Sequence, residues 1–146
     1  MEIRTMTMRD YESVHQLWLG TPGMGLNNLD DSREGIARYL ARNPATCFVA
    51  VGDQGLAGAI LAGHDGRRGY IYHTAVAVSE RKKGIGNALL EAALAALERE
   101  GITKAALVVF SRNETGNGFW ENRGFTARND LVYRNKAIQA SVRIDT

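Results

Sequence analysis

The chain lacks most of the devices that hold small folds together by chemistry rather than packing. Cys47 is its single cysteine, so no intrachain disulfide is available. The three histidines, His15, His64 and His73, show no ligand spacing to one another or to Cys47, and no metal is expected. Long hydrophobic runs are missing as well. The apolar stretches fall far short of a bilayer span, and the N-terminus has no charged-then-apolar leader, which predicts a soluble cytoplasmic protein with no membrane partner. Nor does charge of one sign dominate. Lys and Arg number 18 against 16 Asp and Glu, a net charge of +2 that excludes nucleic-acid binding by a broad cationic stripe. What remains must be stabilised by a core. At 146 residues the chain has the length of one domain, spanning 1–146, that can bury one. No internal repeat, low-complexity tract or linker divides it. Cys47 itself sits in Cys47-Phe48-Val49-Ala50-Val51, which reads as a buried strand, so the thiol is expected in the core rather than in catalysis.

Patterning predicts the elements. Glu2 to Met6 is a first strand. Thr7-Met8-Arg9-Asp10 resembles a capping box opening a helix with Tyr11, Val14, Leu17 and Trp18 on one face, ending near Gly20. Gly20 to Asn28 is a loop, and Asp31-Ser32-Arg33-Glu34 caps a second helix carrying Ile36, Tyr39 and Leu40 before Asn43-Pro44 stops it. Strands follow at Thr46 to Val51, Leu56 to Gly63 and Tyr70 to Val78, forming an antiparallel meander. A helix from about Asn87 to Glu100 presents Leu89, Leu90, Ala93, Leu94 and Leu97, with Gly101 as its stop. Then come a strand at Lys104 to Phe110, a short helix from Asn113, a strand near Phe125 and a last strand over Leu131 to Lys136. The order β-α-α-β-β-β-α-β-α-β-β is an α+β pattern.

The most informative stretch is Arg81-Lys82-Lys83-Gly84-Ile85-Gly86, which joins the strand ending at Val78 to the helix that starts near Asn87. Glycines admit backbone N–H groups close to a ligand, and the first turn of a helix has unpaired donors and a partial positive charge. An anion site results. It is not a P-loop, because the lysines precede both glycines, and not a dinucleotide fingerprint, because Leu89 stands where a third glycine would be needed. Arg-x-x-Gly-x-Gly at this junction resembles the acetyl-CoA signature of the GNAT superfamily of N-acetyltransferases. A second segment, Asn113-Glu-Thr-Gly-Asn-Gly-Phe-Trp-Glu-Asn-Arg-Gly-Phe125, is similar to that family's Asn-x-x-Ala-x-x-Phe-Tyr-x-x-x-Gly-Phe segment at matching spacing. The resemblance covers roughly Tyr70 to Phe125.

The resemblance implies a mixed, mostly antiparallel sheet with a splayed parallel strand pair at the cofactor site, flanked by helices. It implies acetyl-CoA as co-substrate and a small-molecule or peptide amine as acceptor. The backbone of Val76 and Val78 would bind the pantetheine amides, and Arg81, Lys82, Lys83, Gly84, Ile85, Gly86 and Asn87 the pyrophosphate. The Thr74 N–H would face the thioester oxygen. Asn113 is an N-cap by its own chemistry, and by resemblance also a contact to the pantetheine arm. Family position suggests Tyr70 and Tyr72 for proton removal, although a free phenol titrates near ~10. An imidazole is better suited, but strict alternation turns His73 to the opposite face unless a β-bulge intervenes. At Trp120 the chain departs from the family, which often has a tyrosine acid there. Indole supplies no proton, so either solvent protonates the thiolate, or Tyr133 does, or Trp120 is only a wall of the pocket. Trp18, Asp30, Asp31 and Glu34 either line the acceptor mouth or serve as core and helix caps. The activity implied is acetyl transfer to a primary amine by direct attack. Rivals are a ribosomal-protein type N-terminal acetyltransferase and a CoA-binding sensor without turnover. The family often dimerises through late strands, so a homodimer is also on the table, with the tail from Ala137 to Thr146 pairing or hanging free.

Overall fold

The structure, a computed structural model, describes residues 1–144. Five strands form one sheet in the order β1-β2-β3-β4-β5: β1 Glu2–Thr5, β2 Phe48–Gly52, β3 Gly55–His64, β4 Gly69–Val76 and β5 Ala105–Ala106. The first three pairings are antiparallel and the last is parallel, so the architecture is α+β with a mostly antiparallel sheet. Helices α1 Tyr11–Leu19 and α2 Arg33–Arg42 lie on one face; α3 Ile85–Arg99 packs on the other. Helix α4, Glu114–Asn122, follows β5. No helix among the described residues is long and apolar enough to cross a membrane.

Each face of the sheet has its own core. Leu89, Leu90, Ala93 and Leu97, the stripe expected on α3, pack against Phe48, Ala50, Ile60, Ala62 and Ile71. On the other face Val14, Trp18, Ile36 and Leu40 close over Cys47, Val49, Ala59, Leu61 and Ala75. Burial of such side chains stabilises the fold by about 1.5–3 kcal/mol each. At the start of α1 the Asp10 carboxylate accepts the Thr7 N–H at 2.9 Å and both guanidinium nitrogens of Arg4 at 2.8 and 2.9 Å. A 3-10 turn over Met8–Asp10 precedes the α-helix proper.

Corrections to the expected elements concentrate at the C-terminal side. Helix α3 begins at Ile85, two residues before the expected start, because left-handed Gly84 (φ +80°) caps it. Strand β4 ends at Val76, and Val78 lies in a 3-10 turn over Val78–Glu80. The strand expected over Lys104 to Phe110 keeps two ladder residues, Gly69 opposite Ala105 and Tyr70 opposite Ala106. Beyond Tyr70, β4 runs on to Val76 with no β5 residue beside it, which is the splay the resemblance implied. The strands expected near Phe125 and at Leu131 to Lys136 do not form: those residues have no ladder partner among the described residues, and Leu131, Val132 and Tyr133 stay exposed. The tail does pair, with its own chain. Asn28 N–H donates to the Val142 carbonyl at 3.0 Å, and Ile144 N–H to that of Leu26 at 3.1 Å. Asp145 and Thr146, the end of that tail, lie outside the described residues.

Candidate active site

A register shift in β4 decides which side chains meet. Ile60 pairs with Thr74 but Ala62 with Ile71, so Leu61 faces both Tyr72 and His73. That is a bulge, and it changes the phase of the strand. Before it, Ile71 points toward α3; after it, Ala75 points toward α1 and α2. Tyr70, Tyr72 and His73 therefore share a face, which strict alternation forbids. Their rings touch in series, Tyr70 to Tyr72 at 4.7 Å between centroids and Tyr72 to His73 at 6.4 Å. Trp18, fully buried, sets its edge against His73 at 4.8 Å, and Tyr39 meets Tyr72 at 5.7 Å.

His73 is held by a partner 42 residues away. Its Nε2 lies 2.6 Å from Asp31 Oδ1, and the Asp31 residue is only 4% exposed. Asp31 is itself fixed: Oδ2 accepts the Asn27 N–H at 2.8 Å, and its carbonyl accepts the Tyr11 hydroxyl at 2.7 Å. The helix cap is Ser32, whose Oγ accepts the Gly35 N–H. Asp31 is thus not the cap of α2 but the buried partner of a histidine. A carboxylate that accepts Nε2–H leaves the lone pair of the neutral ring on Nδ1. Trp18 is core, as its packing reading had it.

Around this pair opens a cavity of about 440 Å³, lined by Asp30, Asp31, Tyr39, Tyr72 and His73 with Arg38 and Arg42 on α2. Burial, then the neighbouring Tyr133, pushes the phenols of Tyr70 and Tyr72 above their ordinary value, which weakens both as bases at neutral pH. Tyr133, though exposed, thereby stands with Tyr70 and Tyr72.

On the other side of β4 lies the basic, glycine-rich turn. Lys82 (φ +64°) and Gly84 are both left-handed, and no side chain caps the α3 N-terminus. Its first N–H groups are free to meet an anion. At Gly86 the approach is close: a Cβ there would stand 3.1 Å from the Phe119 ring of α4. Arg81 folds back, its Nε donating to the Val76 carbonyl at 3.1 Å, and Lys83 pairs with Glu80 at 2.8 Å. The Val78 carbonyl accepts the Arg81 N–H at 3.3 Å. Thr74 donates its hydroxyl to the Tyr72 carbonyl at 3.2 Å. Asn113 caps α4, Oδ1 accepting the Gly116 N–H at 2.9 Å. Trp120 stacks edge-on between Phe119 and Phe125 against the α3 core. Among the described residues no group of three His, Cys, Asp or Glu could hold a metal ion.

Four residues of this arrangement were not legible as such in the sequence: Asp31, Arg38, Arg42 and Arg123. Asp31 was weighed only as a cap or rim residue, since nothing in the order of residues links it to His73. Arg38 and Arg42, exposed on α2, belong to no motif. Arg123, inside the second motif, donates to Asn87 Oδ1 at 3.2 Å and lies over the Phe119 ring, which brings a guanidinium to the start of α3.

The sheet splays between β4 and β5, and a glycine-rich helix start without a side-chain cap follows the end of β4. Residues 11–125 match the acetyltransferase (GNAT) family, and the chain belongs to that family. An acetyltransferase of Pectobacterium atrosepticum is 32% identical over 121 residues, covering 83% of this chain and 84% of its own. The structure is similar to Ard1 from Thermoplasma volcanium, with TM-score 0.76 and 21% identity over 86% of this chain and 82% of that one. It is also similar to the PaiA N-acetyltransferase of Thermoplasma acidophilum solved with coenzyme A, with TM-score 0.73 and 21% identity over 87% and 90% of the two chains.

Proposed function

We propose that the chain is an acetyl-CoA-dependent N-acetyltransferase that transfers acetyl to a primary amine by direct attack in a ternary complex. The observation that carries this reading is the His73–Asp31 pair on the floor of a cavity, on the strand whose far end leads into the α3 anion turn. The amine lone pair attacks the thioester carbonyl carbon, forming the C–N bond. His73 Nδ1 takes the amine proton, directly or through one water, while Asp31 holds the ring in the required tautomer. The Thr74 N–H stabilises the oxyanion. Collapse breaks the C–S bond, and the thiolate takes its proton from solvent at the open side of the strand pair. Tyr70 and Tyr72 orient the acceptor.

Acetyl-CoA would lie along the splayed end of β4, its pantetheine amides on the backbone of Val76 and Val78 and beside Asn113. Its pyrophosphate would meet the N–H groups of Ile85, Gly86 and Asn87, with Lys82, Lys83 and Arg123 adding charge. Arg81 has to leave the Val76 carbonyl when the arm arrives, and its guanidinium then faces phosphate. Calorimetric titration with acetyl-CoA and with desulfo-CoA tests the reading. Saturable micromolar binding, abolished in a Lys82→Glu/Arg123→Glu variant of unchanged melting temperature, is the expected outcome. A folded protein that binds neither compound would overturn it.

A further inference from the structure

We infer that the acceptor is a small amino acid, a molecule carrying a free carboxylate as well as the amine, and that Arg38 and Arg42 bind the carboxylate. This inference rests on the transferase reading and names the substrate class of the same site. Two exposed charges on α2 lie at the edge of the cavity without an acidic partner among the described residues. Arg38 and Arg42 stand one turn apart on α2, both line the cavity that holds His73, and neither makes an ion pair among the described residues. Glu34, one turn before Arg38, is not paired with it. Like charges one turn apart on a helix repel, so two guanidinium groups here without an acidic partner carry a small cost. A bound anion removes it, and arginine forks match a carboxylate in two-point geometry.

The cavity is also polarised along α2. Asp30 and Asp31 sit just before its N-terminus, and Arg42 is its last residue. Helical side chains lean toward the N-terminus, which for Arg38 and Arg42 is the direction of the His73 end. The axial rise from Gly35 to Arg38 is about 4.5 Å, and to Arg42 about 10 Å. A ligand whose ammonium is drawn by Asp30 and delivered to His73, with its carboxylate on the arginines, fits that polarity end to end. Apolar walls from Ile36, Tyr39 and Leu61 leave room for an apolar side chain. An unsubstituted amine would leave the arginine end unpaired.

The test uses L-methionine, L-phenylalanine and 5-aminopentanoate, each beside its carboxamide. Turnover is followed by release of the CoA thiol, and binding to the acetyl-CoA-free protein by calorimetry. The expected result is a preference for carboxylate over carboxamide of tenfold or more in kcat/KM for one or more of the three pairs. The preference falls to near unity in Arg38→Gln/Arg42→Gln and persists in Arg67→Gln/Arg99→Gln, an equal loss of charge outside the cavity. Equal use of carboxamides, a preference that survives in the Arg38→Gln/Arg42→Gln protein, or neglect of all three carboxylates by a protein that binds acetyl-CoA overturns the carboxylate inference alone. Loss of acetyl-CoA binding as well overturns the transferase reading with it. Carboxylate binding that depends on Arg38 and Arg42 but not on acetyl-CoA supports the arginine site whatever becomes of the chemistry.

Discussion

The two sides of β4 are built on opposite plans. Toward α1 and α2 the site is made of side chains: His73 is pinned by Asp31, Asp31 by Asn27 and Tyr11, and the imidazole lies against a buried Trp18. Toward α3 it is made of backbone: left-handed Lys82 and Gly84, a helix start without a side-chain cap, and a glycine that lets Phe119 approach. Side-chain sites depend on long-range packing, whereas backbone sites depend on a few consecutive φ and ψ angles. The first kind should be lost when its packing is disturbed; the second should tolerate changes of side chain that keep the turn.

Replacement of His73 by Gln should strike the side-chain plan hardest, lowering kcat about 10²–10⁴-fold while acetyl-CoA affinity stays within a factor of about two. A kcat within threefold of wild type would remove His73 from proton transfer. Trp18→Ala should cost about 3–5 kcal/mol of stability in denaturant titration, because a buried indole leaves a cavity under both His73 and the α1 stripe. By contrast Leu131→Ala, in the exposed segment after α4, should move stability by less than about 0.5 kcal/mol. Asp31→Asn should reduce kcat about a hundredfold with little change in acetyl-CoA affinity. It should also alter the imidazole ¹⁵N shifts of His73, since the Nε2–H tautomer loses its carboxylate; unchanged shifts would make Asp31 a packing residue only.

A modest effect belongs to Asp10, whose carboxyl is held below its ordinary value by the Arg4 hydrogen bonds. A depressed folded value means the stabilisation is complete above the unfolded pKa of about 3.9 and is lost as pH falls through the lower folded value. Asp10→Asn should therefore cost about 1 kcal/mol near neutral pH and flatten the acid limb of the stability profile.

The same contrast explains what was legible in the sequence. The Arg81 to Asn87 turn was legible as a turn because its glycines and the helix start are neighbours in sequence, and that start was missed by two positions only. The α3 stripe was legible for the same reason, a local period acting on a local surface. Asp31 and His73 are 42 residues apart, and nothing local marks the pair. The phase of β4 was hidden too, since alternation describes an ideal strand and the extra residue opposite Leu61 breaks it. Lys104 to Phe110 and Leu131 to Lys136 have β-prone residues but only half of what a strand needs. The other half is a partner, which β4 withholds once it diverges from β5.

Cys47, noted above only as part of the core, determines how this chain can be studied. Its Sγ donates to the Ala62 carbonyl at 3.2 Å, and burial pushes the thiol up to about 12. Thiolate is the reactive form, so in the native state alkylating and disulfide reagents should pass this residue by. The natural chain is then already a blank background for labelling. A fluorophore or spin label on a cysteine introduced at Arg67 would report from one site, and any slow uptake of label by Cys47 would count openings of the sheet itself.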